Sequence, residues 1–146
     1  MAWHRRSVVV GLLALGLLGT VGAEATKPVD NEVKTQTQRV IESQLQAFAR
    51  DDAEAAFAHA SPAIQSQFKT PQRFMAMVQQ GYRVVYRHQT VRYVAFALEK
   101  QGAEHQLQMV DDSNQLWTVF YRLEKMPDGH WKISACEVQR ASGTLI

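Results

Sequence analysis

The sequence predicts an α+β domain in which N-terminal helices pack on a curved antiparallel meander of four to five strands. Apolar residues recur at helical spacing as far as about residue 81, and beyond it they alternate with period two between turn residues. A chain of 146 residues has room for one such domain behind an N-terminal leader. We therefore expect a cone-shaped roll, with the sheet wrapped around the first long helix.

Residues 1–23 have the composition of a cleavable signal peptide. Arg5 and Arg6 supply a positive start, an apolar run covers residues 8–21, and small residues follow it. We expect cleavage after Ala23, with Ala25 as the alternative site. The apolar run is at the short limit for a spanning helix, so an uncleaved anchor is less favoured. The mature protein is expected to be exported, periplasmic or secreted, and to meet the membrane only during export.

The helical half has clear start signals. Residues 24–36 are polar and predict a flexible lead-in, followed by the folded domain over 37–142. Asp51 resembles the first residue of a capping box, and the pairs Ser61–Pro62 and Thr70–Pro71 each place a capping hydroxyl before a proline. The first helix is predicted by an apolar stripe made of Val33, Val40, Ile41, Leu45 and Phe48.

The second half is predicted as strands joined by short turns. The alternation begins at Tyr82, which suggests a first strand over 82–87, and a longer one follows over Thr90–Leu98. His105, Leu107 and Met109 share one face of the next strand. Leu116–Leu123 is apolar on both faces and therefore predicts a central strand. Asp128–Gly129 is a hairpin signal, and Trp131, Ile133 and Ala135 define the last strand.

Charge and cysteine content exclude several classes of function. Without Arg5 and Arg6 the basic residues fall from 16 to 14, which equals the number of acidic residues. Scattered, balanced charge argues against nucleic acid as a partner. The single cysteine, Cys136, rules out an intramolecular disulfide and is expected to be a buried, inert thiol. The histidines outside the leader (His59, His88, His105 and His130) show no metal-ligand spacing, so we expect no metal and no cofactor.

Several stretches of the chain together carry a family resemblance: Gln44–Phe48, Asp51–Phe57, Ala60–Gln65, Phe74, Met77–Val78, Gly81–Tyr82 and Trp131–Ile133. They resemble a family of uncharacterised bacterial exported proteins, domain of unknown function 4864. The resemblance covers residues 37–140 and implies the roll of the nuclear transport factor 2-like superfamily. That superfamily includes isomerases, dehydratases, transport factors and binding modules, so the resemblance implies no particular activity.

Candidate site residues come from the predicted sheet. Glu137 has the parity of Trp131 and Ile133, which makes it the best candidate for an inward carboxylate, with Arg122 as its possible partner. In the superfamily, ketosteroid isomerases use an acidic base inside an apolar cone, so the resemblance gives Glu137 a possible catalytic role. The competing interpretation is that the side chains of Glu137 and Arg122 both lie in solvent, at the ends of their strands. Candidate ligand-binding aromatics, which also suit a filled core, are Tyr82, Tyr93, Trp117, Tyr121 and Trp131.

Three hypotheses follow. The favoured one is a non-catalytic domain that binds a small apolar ligand or another protein. The second is a ketosteroid isomerase-like or dehydratase-like enzyme that uses the carboxylate of Glu137, or a histidine, in the cone. The third is a homodimer through the sheet.

Overall fold

The computed structural model describes residues 27–142 and the backbone of His4–Arg5. The predicted α+β fold is confirmed: helices come first and an antiparallel meander follows. The leader over 1–23 and its cleavage site lie outside the described residues, His4–Arg5 excepted. The elements are β1 (His4–Arg5), α1 (Pro28–Ala49), α2 (Ala53–Ala58), α3 (Pro62–Phe68), α4 (Pro71–Gly81), α5 (Arg83–Tyr86), β2 (His88–Glu99), β3 (Gly102–Asp111), β4 (Leu116–Lys125) and β5 (Trp131–Arg140).

The helix starts follow local chemistry. Ser61 and Thr70 cap α3 and α4 as predicted, accepting hydrogen bonds from the amides of Ile64 and Arg73. The cap of α2 is Asp52 rather than Asp51, and it accepts from the amide of Ala55 at 3.0 Å. All three caps satisfy amides that the first helical turn leaves without partners.

Two predicted boundaries differ from the structure. The lead-in over 24–36 is helical from Pro28 onward, because the proline suits the first turn and Asp30 favours the helix dipole there. The strand expected over 82–87 is a helical turn, α5. Val84 and Val85 are adjacent and both buried. A strand would turn one of them outward, whereas a helical turn packed in a corner buries both.

The sheet has the order β1-β5-β4-β3-β2. The four long strands pair antiparallel as consecutive neighbours, so β4 is central as predicted. The two residues of β1 pair parallel to β5 at Glu137 and Val138. β2 forms the opposite edge.

The sheet buries one face, here called the inner face, against α1. In-register side chains form rows across β2, β3, β4 and β5 on this face, and α1 contributes Ile41, Leu45 and Phe48 to the same core. These residues pack because every second strand position faces inward. Three rows matter below: Leu98–Ala103–Leu123–Ile133, Phe96–His105–Tyr121–Cys136 and Tyr93–Leu107–Val119–Val138.

A bulge at Ser134 changes the parity of β5. Arg122 pairs with Ala135 and Leu123 pairs with Ile133, so Ser134 is an extra residue in the ladder. The amide of Ile133 donates to the His59 carbonyl at 2.9 Å, and the Ser61 amide donates to the Ile133 carbonyl at 2.8 Å. The loop before α3 thus holds Ile133 in place. Each residue of β5 after the bulge lies on the face opposite to the one that unbroken alternation would predict.

An ion-pair cluster ties the end of α1 to the start of the sheet. Arg87 donates to both carboxylate oxygens of Asp51, at 3.0 and 2.9 Å, and to the Phe48 carbonyl at 2.7 Å. Tyr86 also donates to Asp51, and the Arg87 guanidinium lies 3.8 Å from the centre of the Tyr86 ring. These hydrogen bonds lower the pKa of Asp51. They hold the corner of α1 and α2 against the corner where α5 becomes β2.

Gly102 is required by the close approach of β3 to β4. A Cβ atom there would lie 2.5 Å from the Leu123 carbonyl oxygen, which is backbone and cannot rotate away.

We expect Gly102→Ala to lower the free energy of unfolding by about 1–3 kcal/mol, as measured by urea denaturation. The control is Gly81→Ala, where a Cβ meets nothing within 4 Å. It should leave stability unchanged or raise it by up to about 1 kcal/mol. Equal midpoints for both variants would contradict the steric argument.

Candidate ligand site

The middle of the inner face carries a polar row in an otherwise apolar core. His105 on β3 is fully buried, and its Nε2 atom lies 2.7 Å from the Oγ1 atom of Thr37 on α1, which is also fully buried. Phe96 and Tyr93 of β2 pack on the imidazole with ring-centroid distances of 4.9 and 5.6 Å. The row therefore places an imidazole against two aromatic rings and a helix hydroxyl.

The imidazole of His105 is neutral at pH 7. Burial lowers its pKa to about 4, and the positive charge of Lys34 acts in the same direction. A neutral imidazole has one N–H donor and one lone-pair acceptor. Within the part of the chain that the structure describes, its Nδ1 atom is buried and has no hydrogen-bond partner.

The neighbouring groups are also uncharged. Burial raises the pKa of Tyr93 far above its usual value, helped by the negative charge of Glu42, so the phenol keeps its proton. The Tyr93 hydroxyl is buried and finds no partner among the described residues. Burial likewise raises the pKa values of Tyr121 and Cys136, although a hydrogen bond with Tyr121 lowers that of the thiol. Cys136 is buried, as the sequence predicts, and its raised pKa disfavours the reactive thiolate form.

An opening of about 490 Å³ lies at the end of this face, between α1 and the β2–β3 turn. Its apolar lining comes from Val33, Leu98 and Trp131, and its rim carries charges of both signs. Leu98 belongs to the row next to that of His105, two positions along each strand or roughly 7 Å. Ala103 is the β3 member of this intervening row, and it is buried between the opening and the imidazole.

The five predicted aromatics do not converge. Tyr93 and Tyr121 are on the inner face beside His105, and Trp131 lines the opening. Trp117 lies near the other end of β4, where its indole nitrogen donates to Asp111 at 2.8 Å. Tyr82 is not on a strand at all, because it is buried at the junction of α4 and α5.

Glu137 does not face the core, which corrects the parity argument. It pairs with Phe120, and its neighbours Cys136 and Val138 are the buried residues of β5 there. The bulge at Ser134 causes the reversal. Arg122 is on the same outer face, where it donates to Glu104 at 2.8 Å and also feels the negative charge of Glu137. A homodimer through the sheet stays a prediction.

Sequence reasoning placed His105 on the face of Leu107 and Met109 but did not make it a site residue. The sequence pattern already pointed to His105. A histidine that alternates with apolar residues is buried, so its ring nitrogens either have hydrogen-bond partners or leave a lone pair without one. Thr37 was less visible, since its partner lies 68 positions away in the sequence. Among the described residues, no group of three histidine, cysteine or carboxylate side chains is arranged to hold a metal ion. No helix within residues 27–142 is long and apolar enough to cross a membrane.

The fold is shared with solved structures of other proteins. The chain is similar to a nuclear transport factor 2-like protein of unknown function from Silicibacter pomeroyi DSS-3, at 13% identity over 76% of this chain and 98% of that one, with a TM-score of 0.53. It is also similar to a nuclear transport factor 2-like protein of unknown function from Methylobacillus flagellatus KT. The identity is 12% over 83% of this chain and 100% of that one, and the TM-score is 0.55. A third similar structure is a ketosteroid isomerase-like protein from Erwinia carotovora atroseptica SCRI1043. Its identity is 12% over 77% of this chain and 99% of that one, with a TM-score of 0.54.

At such identities these likenesses show the fold alone, which is that of the nuclear transport factor 2-like α+β proteins. The family itself is shown by the sequence. Residues 30–146 match domain of unknown function 4864, and the chain belongs to that family. None of the curated proteins matches this chain.

The buried imidazole predicts a pH dependence of stability. The unfolded chain protonates His105 near pH 6.5, whereas the folded protein does so near pH 4. Stability is therefore full above pH 6.5 and falls as the pH drops towards 4, by up to about 3 kcal/mol from this residue. Urea denaturation between pH 7.5 and 4 should show a shallower fall for His105→Phe than for the wild type.

A residual slope is expected in that variant, because burial also lowers the pKa values of His59 and His88. His130→Phe is the control, since it removes an exposed imidazole, and it should follow the wild type. Parallel curves for the wild type and His105→Phe would show that His105 does not resist protonation in the fold.

Proposed function

We propose that this protein is an exported binding domain that holds a small, largely apolar molecule between α1 and the inner face of its sheet. The observation that carries the proposal is the opening at the end of that face, and buried polar atoms without a partner in the described chain lie further along the same face. Its volume of about 490 Å³ is within the range of small-molecule sites.

The chemistry of the walls supports an apolar ligand with few polar groups. Val33, Leu98 and Trp131 line the entrance, and Phe96 follows Leu98 on the inner face of β2. Such walls gain roughly 25 cal/mol for each Å² of apolar surface that a ligand covers. His105 and Tyr93 then supply the small number of polar contacts that fix orientation in sites of this kind.

Binding is favoured over acid–base catalysis by the same geometry. The carboxylate expected to act as a base, Glu137, is on the outer face of the sheet. The imidazole on the inner face has a pKa of about 4, which makes it a weak base at neutral pH. An isomerase-like or dehydratase-like enzyme is the second candidate, and it would have to use the lone pair of His105 and the hydroxyl of Tyr93.

Export is supported by the leader sequence. The positive start, the apolar run and the small residues at 21–25 are typical of a cleaved signal peptide. Cleavage after Ala23 would remove β1 from the edge of β5 and leave the four antiparallel strands. A neutral mature protein with one buried cysteine needs no disulfide outside the cytoplasm.

A charge at the entrance should weaken binding. Leu98 is 46% exposed and lines the opening, so Leu98→Arg places a guanidinium in the path of an apolar ligand. We expect the affinity for N-phenyl-1-naphthylamine, an uncharged fluorescent probe, to fall roughly tenfold or more. The matched control is Val94→Arg on the same strand, which is 39% exposed and lies at the bulge of β2, away from the opening. An equal loss of probe affinity in both variants, or no binding of the probe by the wild type, would refute the proposal.

Processing of the leader should depend on the small residues. In a bacterial host with two membranes, the full chain should yield a periplasmic protein that begins at Glu24. Ala23→Lys combined with Ala25→Lys removes both small residues at the cleavage positions and should leave the precursor attached to the inner membrane. Fractionation and intact-mass measurement check this. A full-length chain in the cytoplasm of the wild-type strain would rule out export.

A further inference from the structure

The hydrogen bond between Thr37 and His105 fixes which imidazole nitrogen carries the proton. Thr37 Oγ1 has a single proton, and it lies 2.7 Å from the Val33 carbonyl, one turn earlier in α1, with the Lys34 carbonyl at 3.2 Å. Both carbonyls only accept, so the hydroxyl donates to the helix backbone. The 2.7 Å contact with His105 must then be donated by Nε2–H. Nδ1 is therefore left with a lone pair.

His105 and Tyr93, which belong to neighbouring rows, thus present one buried acceptor and one buried hydroxyl. Nδ1 of His105 and the hydroxyl of Tyr93 have no partner in the described chain, and their rings meet edge to face at 5.6 Å. An acceptor left without a partner in a core costs about 1–3 kcal/mol. A group that both accepts from Tyr93 and donates to His105 would satisfy the two atoms together.

We propose that the site selects an uncharged, cyclic apolar alcohol or phenol, whose hydroxyl accepts from Tyr93 and donates to Nδ1 of His105. This inference rests on the proposed function and names its ligand class. A carboxylate is disfavoured because its oxygens only accept and would face the lone pair of Nδ1. Among the described residues, no Lys or Arg side chain is buried to neutralise an anion. An ether or a ketone satisfies Tyr93 but leaves His105 without a donor.

The ring system of such a ligand has partners at the right place. From His105 the inner face continues past Phe96 and Leu98 to the opening, so the proposal requires the rest of the molecule to extend in that direction. Phe96 and Trp131 offer aromatic surface on that path, and Trp131 is held by its indole N–H donating to Gln36 of α1 at 3.3 Å. Planar two-ring compounds are therefore suitable probes.

The test compares four naphthalenes that differ in one substituent. Calorimetric titration of the purified protein, expressed from the full chain, uses 2-naphthol, 2-methoxynaphthalene, 2-methylnaphthalene and 2-naphthoate. We expect 2-naphthol to bind about tenfold more tightly than the methoxy compound, which lacks the donor. Tyr93→Phe should remove most of the preference for 2-naphthol over 2-methylnaphthalene. Tyr82→Phe, which removes a hydroxyl from a buried tyrosine off the sheet, should keep it.

A spectroscopic measurement separates a direct contact from a structural effect. In ¹⁵N NMR, Nδ1 of His105 should give the signal of a bare lone-pair nitrogen, and that signal should shift on addition of 2-naphthol but not of 2-methylnaphthalene. Equal affinity for all four compounds would overturn this inference, with a buried water as the partner of both groups, while the proposed function stands. Tightest binding of 2-naphthoate would also overturn it. Binding of none of them, together with no effect of Leu98→Arg on the fluorescent probe, would overturn both.

Discussion

The packing of α1 on the inner face of the sheet is the constraint on which the rest of the structure depends. The helix buries two polar side chains in that interface, and each makes one hydrogen bond to another element. Thr37 meets His105 of β3, and the amide of Gln44 donates to the Ala56 carbonyl of α2 at 3.1 Å. These two contacts set the helix along the strands and against its neighbouring helix, which non-directional apolar packing alone would leave free to slide.

Local chemistry made the helical half predictable, and the limits of local chemistry explain the errors. Caps such as Ser61 and Thr70 act within one turn, so their sequences are sufficient. Tyr82 to Arg87 is too short a stretch for periodicity to separate a strand from a helical turn. The bulge at Ser134 could not be predicted from β5 alone. It accompanies the bonds that Ile133 makes to residues 59 and 61, more than 70 positions earlier in the sequence.

That single extra residue decides how the site is interpreted. Without it, Glu137 would face α1 together with Ile133, and an acidic base inside the fold would suit an isomerase-like reaction. With it, the β5 residue facing His105's row is Cys136, and the carboxylate lies outside near Arg122. The sequence named Tyr93 and Tyr121 as candidate wall aromatics, and both lie on the inner face, although its parity argument put Arg122 rather than Tyr121 on that face. It could not predict that a threonine on a distant helix would complete the row.

The neutrality of the row is what gives it a chemical preference. A buried imidazole that was protonated at pH 7 would need a carboxylate beside it, and such a pair would favour charged ligands or proton transfer. Here burial keeps His105 neutral, and the helix backbone, acting through Thr37, keeps the lone pair on Nδ1. General-base catalysis is most effective when the pKa of the base is near the working pH, and a value of about 4 is far below it. Hydrogen bonding has no such requirement, because a neutral acceptor is fully present at every pH above that value. The same burial that makes His105 a poor base therefore makes it a constant acceptor for an uncharged ligand.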